Sequence, residues 1–180
     1  MPNWCENILT VSGPTYYLDR FMQKAKGEDN GREKDYEGSD LSLDALMPLP
    51  DSEKDNWYDW RVKHWGTKWD VKAEIVEEVV SGDNKSVTYF FDSAWSPPVD
   101  LIASIVDDFV NLHFRLAYAE GGMGFVGIAE GDATDGFMDS CESTDDWRDF
   151  CYRAAYVGFE YYLDSYEDWE AEMAGQEQEV

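Results

Sequence analysis

Strand-like and helix-like segments interleave along this 180-residue chain in a way that predicts an α+β fold, and three observations carry that prediction. Apolar residues return at helical spacing in Tyr17, Leu18, Phe21, Met22 and Ala25, and again in Leu101, Ile102, Ile105, Val106 and Phe109. Period-two runs bracket turn residues over 69–93 and 112–129, the signature of two hairpins. Helices interleaved with mainly antiparallel strands predict a ferredoxin-like antiparallel sheet with two helices on one face and extra strands. A composition change near residue 130 divides the chain into a 1–130 α+β domain and an acidic, mainly helical C-terminal extension over 131–180.

Taken in order, Glu6 to Val11 reads as the first strand, closed by Ser12-Gly13-Pro14, and Thr15 as the N-cap of a helix ending at Gly27. Residues 27–40 are polar, charged and glycine-bearing and read as a mobile loop. Leu41 to Leu46 alternates with period two, predicting a short strand stopped by Pro48 and Pro50. Asp55 to Trp65 has the composition of one or two helical turns. Trp69 to Val80 pairs with Ser86 to Ser93, placing Val87, Tyr89 and Phe91 on one face and Thr88, Phe90 and Asp92 on the other. Ser96-Pro97-Pro98 reads as a capped helix start, and Leu112 to Ala119 with Phe125 to Ala129 forms a second hairpin turning at Gly121-Gly122. Ser143 or Thr144 would cap a helix running to about Ala174, with Trp147, Phe150, Cys151, Ala154 and Ala155 inward and a break open to it at Gly158.

Charge narrows the function classes. A formal net charge of -25 argues against direct nucleic-acid binding, because that affinity comes from neutralising phosphates with Lys and Arg. It favours a basic protein partner, a cation, or plain solubility. Aromatics at 16% exclude a disordered polyanion. Three widely spaced cysteines and two histidines give neither a zinc pattern nor a disulfide framework, which points to a reducing, cytoplasmic setting. No leader pattern and no apolar run of membrane-spanning length is expected, and no cofactor is implied. Oligomeric state is not legible.

Four stretches carry a family likeness. Met1-Pro2-Asn3-Trp4-Cys5-Glu6-Asn7 followed by Leu9-Thr10-Val11-Ser12-Gly13, then Trp65-Gly66-Thr67-Lys68-Trp69-Asp70-Val71, then Ala94-Trp95-Ser96-Pro97-Pro98, then Gly124-Phe125, together resemble the YubB-like family of plasmid and phage proteins. The resemblance spans about residues 1–130. It implies a ferredoxin-like domain and a mobile-element origin, and brings no catalytic residues with it.

Two constellations stand out as sites. Four of eight tryptophans fall within residues 57–69, so Trp65, Trp69 and Trp95 either stack on a nucleotide or other flat ligand, with Lys68 on a phosphate, or fill the core. Along the C-terminal segment, Asp145, Asp146, Asp149, Glu160, Asp164, Glu167, Asp168, Glu170 and Glu172 place negative charge among aromatics. That is either a solvated helix face or a surface that engages a basic host protein, as a nucleic-acid mimic or anti-defence factor. Glu120 to Gly124 joins two strands and therefore reads as a turn, not a phosphate loop. Residues 131–142 lack carboxylates at the first and third positions of a calcium loop, leaving only loose divalent binding by Asp132, Asp135 and Asp139. Catalysis has no supporting constellation: His64 lies among tryptophans, and Cys5 has no sequence partner. The chain reads as a binding protein, with a small-ligand binder and an enzyme of unknown class as alternatives.

Overall fold

A computed structural model describes the backbone of residues 3–27 and 36–177, and side chains as far as Met173. Its frame is a six-stranded sheet in which every neighbouring pair is antiparallel. The elements run β1 (Trp4–Pro14), α1 (Thr15–Lys26), α2 (Leu43–Leu46), a 3-10 turn (Asp51–Asn56), α3 (Trp57–Trp65), β2 (Glu74–Ser81), β3 (Asn84–Ala94), α4 (Val99–Ile105), β4 (His113–Glu120), β5 (Phe125–Asp132), β6 (Gly136–Ser143), α5 (Trp147–Val157) and α6 (Glu160–Glu177). The spatial order β2-β3-β1-β4 is that of a ferredoxin-like βαββαβ unit, and β5 and β6 widen the sheet beyond β4.

Alternation along the strands sends side chains to two different layers. Leu9 and Val11 of β1, Val87, Tyr89 and Phe91 of β3, and Phe114 and Leu116 of β4 meet Leu18, Phe21 and Ala25 of α1 and Leu101, Ile102 and Ile105 of α4. The opposite side chains, Ile8, Phe90, Ala117, Ala119 and Val126, meet Phe150, Cys151, Ala154 and Val157 of α5, with Phe159 and Tyr166. The predicted pair of helices on one face is therefore present, and the C-terminal helices form a second layer on the other face. No described helix is long and apolar enough to cross a membrane.

Several local expectations change. Leu41 to Leu46 does not form a strand: the Ser42 hydroxyl accepts from the Ala45 amide at 3.1 Å and donates to Asp70 at 2.7 Å, while the Leu43 amide donates to Asp70 at 2.6 Å. That clamp winds the segment into α2. Asp70 itself is largely buried; burial pushes its carboxyl above the usual range, against the lowering effect of the Ser42 hydroxyl and the Val71 and Leu43 amides. Ser96 does not cap α4, since its hydroxyl donates to the Gly66 carbonyl. The loop expected over 27–40 falls mostly outside the described residues.

Beyond residue 130 the expected single helix is replaced by a strand and two helices. β6 pairs with β5 from Asp132↔Gly136 to Phe125↔Ser143. Asp146, and neither Ser143 nor Thr144, caps α5, accepting from the amides of Arg148 and Asp149. The break at Gly158 is present: its φ of 124° is open to glycine and strained for other residues, and it lets the chain turn from α5 into α6.

Gly127 in β5 answers to sterics alone. The Tyr118 ring lies where a Cβ would stand, and the Ser140 carbonyl would be 2.7 Å away. The Tyr118 hydroxyl crosses it to donate to Asp139 on β6 at 2.7 Å. Gly127→Ala is expected to lower stability by roughly 1–3 kcal/mol, the usual cost of overpacking. A urea midpoint equal to that of the parent chain would remove this account of the β4–β5–β6 ribbon.

Candidate functional site

The four sequence motifs meet at one end of the sheet. Trp4 of β1 stands opposite Ala94 of β3, and the Trp95 amide donates to the Asn3 carbonyl at 2.9 Å. Thr67 is buried and its hydroxyl donates to the Ala94 carbonyl at 2.9 Å. The turn 121–124 closes over the same end, where the fully buried Glu120 accepts from the amides of Gly122 at 2.8 Å and Met123 at 2.6 Å. Those bonds make the glycine-bearing stretch a hairpin turn tied by its own carboxylate. Asn7 sits beneath, donating to the carbonyls of Cys5 and Phe91 and to the Ser93 hydroxyl.

At this end the tryptophans divide. Trp65 is fully buried and its indole N–H donates to the Met47 carbonyl at 3.0 Å, so it belongs to the core. Trp69 and Trp95 stay closer to solvent, and Lys68 lies between them: its ammonium is 4.5 Å from the Trp69 ring centroid, 5.0 Å from Trp95 and 5.5 Å from Tyr58. Trp4 packs on the outside of Trp69 at 6.1 Å. The structure thus brings together Lys68, Trp69 and Trp95 of the expected set and adds Tyr58 and Trp4. The ring faces that a flat ligand would need are turned toward the chain's own cation. Trp95 holds a left-handed φ of 70°, uncommon for a bulky residue, which commits backbone strain to presenting that ring. Tyr58 carries no sequence signal for this role, because its distance from Lys68 is bridged only when α3 forms.

The second layer gathers the acidic residues. Residues 131–180 hold fifteen Asp and Glu against Arg148 and Arg153 alone. Both arginines are engaged within the layer: Arg153 pairs with Glu142 and Asp149, and Arg148 lies over the Tyr152 ring. Of the expected partner-binding residues, Asp146 is committed to capping, Asp149 to Arg153, and Glu170 accepts from the Tyr166 hydroxyl at 2.6 Å. Asp145, Glu160, Asp164, Glu167 and Asp168 are exposed. Glu160, Asp164, Asp168 and Glu172 recur every four residues, so they line one stripe of α6 as like charges that repel. Among them stand exposed rings, namely Trp147, Tyr152, Tyr156, Tyr161 and Trp169.

Beside its apolar packing, this layer is tied to the sheet by Glu6, which the charge pattern alone does not single out. It accepts from the Tyr162 hydroxyl at 2.5 Å. Burial first, and then Glu6, pushes the Tyr161 and Tyr162 hydroxyls up, so both stay protonated donors. Glu6 also stands directly opposite Asp92 on β3, and burial with the Glu6 charge raises the Asp92 carboxyl. Both tyrosine donors are thus set against Glu6, with Asp92 as its neighbouring carboxylate.

The remaining candidates are accounted for locally. Asp132 accepts from the amides of Thr134 and Asp135, and Asp139 from Tyr118. Among the described residues no three His, Cys, Asp or Glu side chains converge to hold a metal ion. Burial and then Glu120 push the Cys5 thiol far up, which keeps it protonated and unreactive. His64 stacks on Trp60 at 4.6 Å, and His113 opens β4 on the exposed side.

Lys68→Met is expected to cost about 1.5–3 kcal/mol, from three partly exposed cation–π contacts of roughly 0.5–1 kcal/mol each. Acrylamide should then quench tryptophan emission more readily; unchanged stability and quenching would show that Lys68 does not close the cage. Tyr162→Phe should cost roughly 1.5 kcal/mol, the lower range for a hydrogen bond to a charged group. Amide exchange should rise in α6 and stay unchanged in α1. Equal protection in both proteins would release Glu6 from its anchoring role.

The family model described as the ferredoxin-like domain in Api92-like protein matches residues 64–155, just over half of the chain. The crystal structure of a protein api92 from Yersinia pseudotuberculosis is similar in fold, with a TM-score of 0.55 and 10% sequence identity over 81% of this chain and 100% of that one. No curated protein matches the chain in sequence. The matched segment runs from the end of α3 into α5 and so includes Lys68, Trp69 and Trp95 of the cage, five of the six strands and most of the first helix of the acidic layer. The chain belongs to the family defined by the ferredoxin-like domain of Api92-like proteins.

Proposed function

We propose that this is a binding protein whose acidic, aromatic-bearing helical layer receives the basic surface of another protein. The observation that carries the reading is segregation of charge. In sequence, residues 131–180 have fifteen carboxylates and two arginines, both engaged within the C-terminal layer, whereas residues 1–130 balance twenty-four carboxylates with twelve Lys and Arg, among them Arg20, Lys24 and Lys26 beside Asp19 on α1. Solubility alone needs no such sorting. Like charges at every fourth residue of α6 cost helix stability, and a cationic partner would recover that cost. Exposed Trp and Tyr among carboxylates are the residues that anchor protein interfaces, while the field speeds encounter.

Motifs resembling the YubB-like family support an origin on a plasmid or phage, with a basic host protein as partner. A row of carboxylates of this kind would occupy a groove built for a phosphate backbone. Free Cys5, Cys141 and Cys151 suit a reducing, cytoplasmic setting. The small-ligand alternative is less favoured by the geometry, since Trp65 is core and Lys68 fills the space between Trp69 and Trp95.

The test is capture from host lysate by the parent chain and by an Asp164→Asn, Glu167→Gln, Asp168→Asn, Glu170→Gln variant across a salt series. Partners are expected to be basic, retained at low salt, and lost about tenfold sooner from the variant. If the variant holds the same proteins to the same salt concentration, the acidic layer is not the contact surface.

A further inference from the structure

The second face of the sheet is covered unevenly. α5 lies over β4 and β5, and α6 packs against α5 on the side toward β1, where Tyr162 reaches Glu6. Beyond α5 the outer ribbon of β5 and β6 has no helix above it among the described residues. A groove of about 540 Å³ runs there, with Val126, Ile128 and Met138 from the strands and Tyr152, Tyr156 and Val157 from α5. Met138 and Tyr156 are 75% and 87% exposed, much for apolar and aromatic groups that face one another across a groove. Glu130 and Glu142 stand on its strand side.

We infer that this groove takes an amphipathic, basic helix of the partner protein. The inference rests on the binding reading above and specifies where and with what the partner docks. Helices in a layer pack about 8–10 Å apart, and strands about 4.8 Å apart. One helix beside α5 would therefore lie over β6 and finish the layer at the sheet's edge. Its apolar stripe would cover the half-buried Ile128 and the exposed Met138, which a strand added in plane to the free edge of β6 would leave wet. Charge selects a basic helix: the cations near the rim are already set against carboxylates, Arg153 shared by Glu142 and Asp149 and Arg115 at 3.9 Å from Glu130, while Asp145, Glu160, Asp164, Glu167 and Asp168 of the same layer stay exposed. A second copy of the acidic layer would bring like charge against like.

Two peptides of about 18 residues, long enough to sustain a helix, separate the contributions. One carries Leu at helical spacing in a Lys background; the other has Ser at those positions and the same charge. The Leu/Lys peptide should bind the full chain at least tenfold more tightly than the Lys/Ser peptide, shifting the methyl resonances of Met138, Ile128 and Val126. Met138→Ser with Tyr156→Ser, both at exposed positions, should remove that tenfold advantage while the circular dichroism spectrum stays unchanged. Equal binding of both peptides, or shifts confined to α6, would overturn the groove and leave the acidic layer standing as a charged surface. Binding of neither peptide at low salt would overturn both readings. Self-association abolished by the double variant would make the groove a contact between copies and overturn the basic helix.

Discussion

Ile8 and Leu9 are neighbours in β1 and point to opposite faces of the sheet, and each is packed against helices. That requirement, apolar side chains on both faces of a central strand, is the constraint on which the remaining architecture depends. Cys5, Leu9 and Val11 demand a cover that α1 and α4 provide. Ile8, with Phe90 and Ala117 beside it, demands a second one, and α5 and α6 supply it. The acidic segment is thus not a tail added to a finished fold but the cover of a face that would otherwise stay exposed. Because its inner side must be apolar, its carboxylates are confined to the outer side. Sorting of charge by face follows from sorting of apolar groups by face.

The same central strand explains why the family-like motifs lie far apart in sequence and together in space. β1 is paired on one side with β3 and on the other with β4. Its first residues therefore meet the end of β3, where Ala94 and Trp95 stand, and the turn after β4, where Glu120 and Gly122 stand. The 65–71 segment joins them through Thr67 and Ala94. Polar groups at this junction are mostly satisfied by one another: Ser93 with Asn7 and the Ser96 carbonyl, Ser96 with Gly66. A network of this kind favours one arrangement over its competitors. It holds Trp95 in a strained conformation with Lys68 against its ring, and a rigid aromatic platform results.

Legibility in the sequence followed the strength of local signals. Val87-Thr88-Tyr89-Phe90-Phe91 alternates cleanly, and its faces are as the pattern requires. Gly158 interrupts a helical stretch and marks the turn between α5 and α6. Where tertiary bonds decide, the local pattern misleads. Leu41 to Leu46 alternates like a strand, yet Asp70, twenty-seven residues beyond Leu43, winds it into a helical turn. β6 was not legible, because Gly136 to Ser143 has neither alternation nor a run of β-branched residues; pairing with β5 gives it its shape. At the candidate site, the carboxylates of the C-terminal segment stand out from charge alone, and their stripe on α6 follows from helical spacing. Which tryptophan is core was not: Trp65 and Trp69 are four residues apart, but only Trp65 ends a helix whose C-terminal turn faces Met47.

These separate facts bear on where function can reside in such a fold. One face of the ferredoxin-like unit is closed by α1 and α4, and their contacts are those of a core. The other face is closed by elements whose inner residues pack and whose outer residues carry charge and rings that packing does not require. Glu6 connects the two, since a carboxylate placed on the inner face of the sheet must find donors, and Tyr161 and Tyr162 provide them from α6. An acidic residue inside the sheet thereby positions an acidic surface outside it. The arrangement leaves apolar groups uncovered on the outer ribbon of β5 and β6, where Met138 stands beside Tyr156 of α5. On the proposed reading, charge would bring a cationic partner near, and uncovered apolar area would hold it once salt has screened the field.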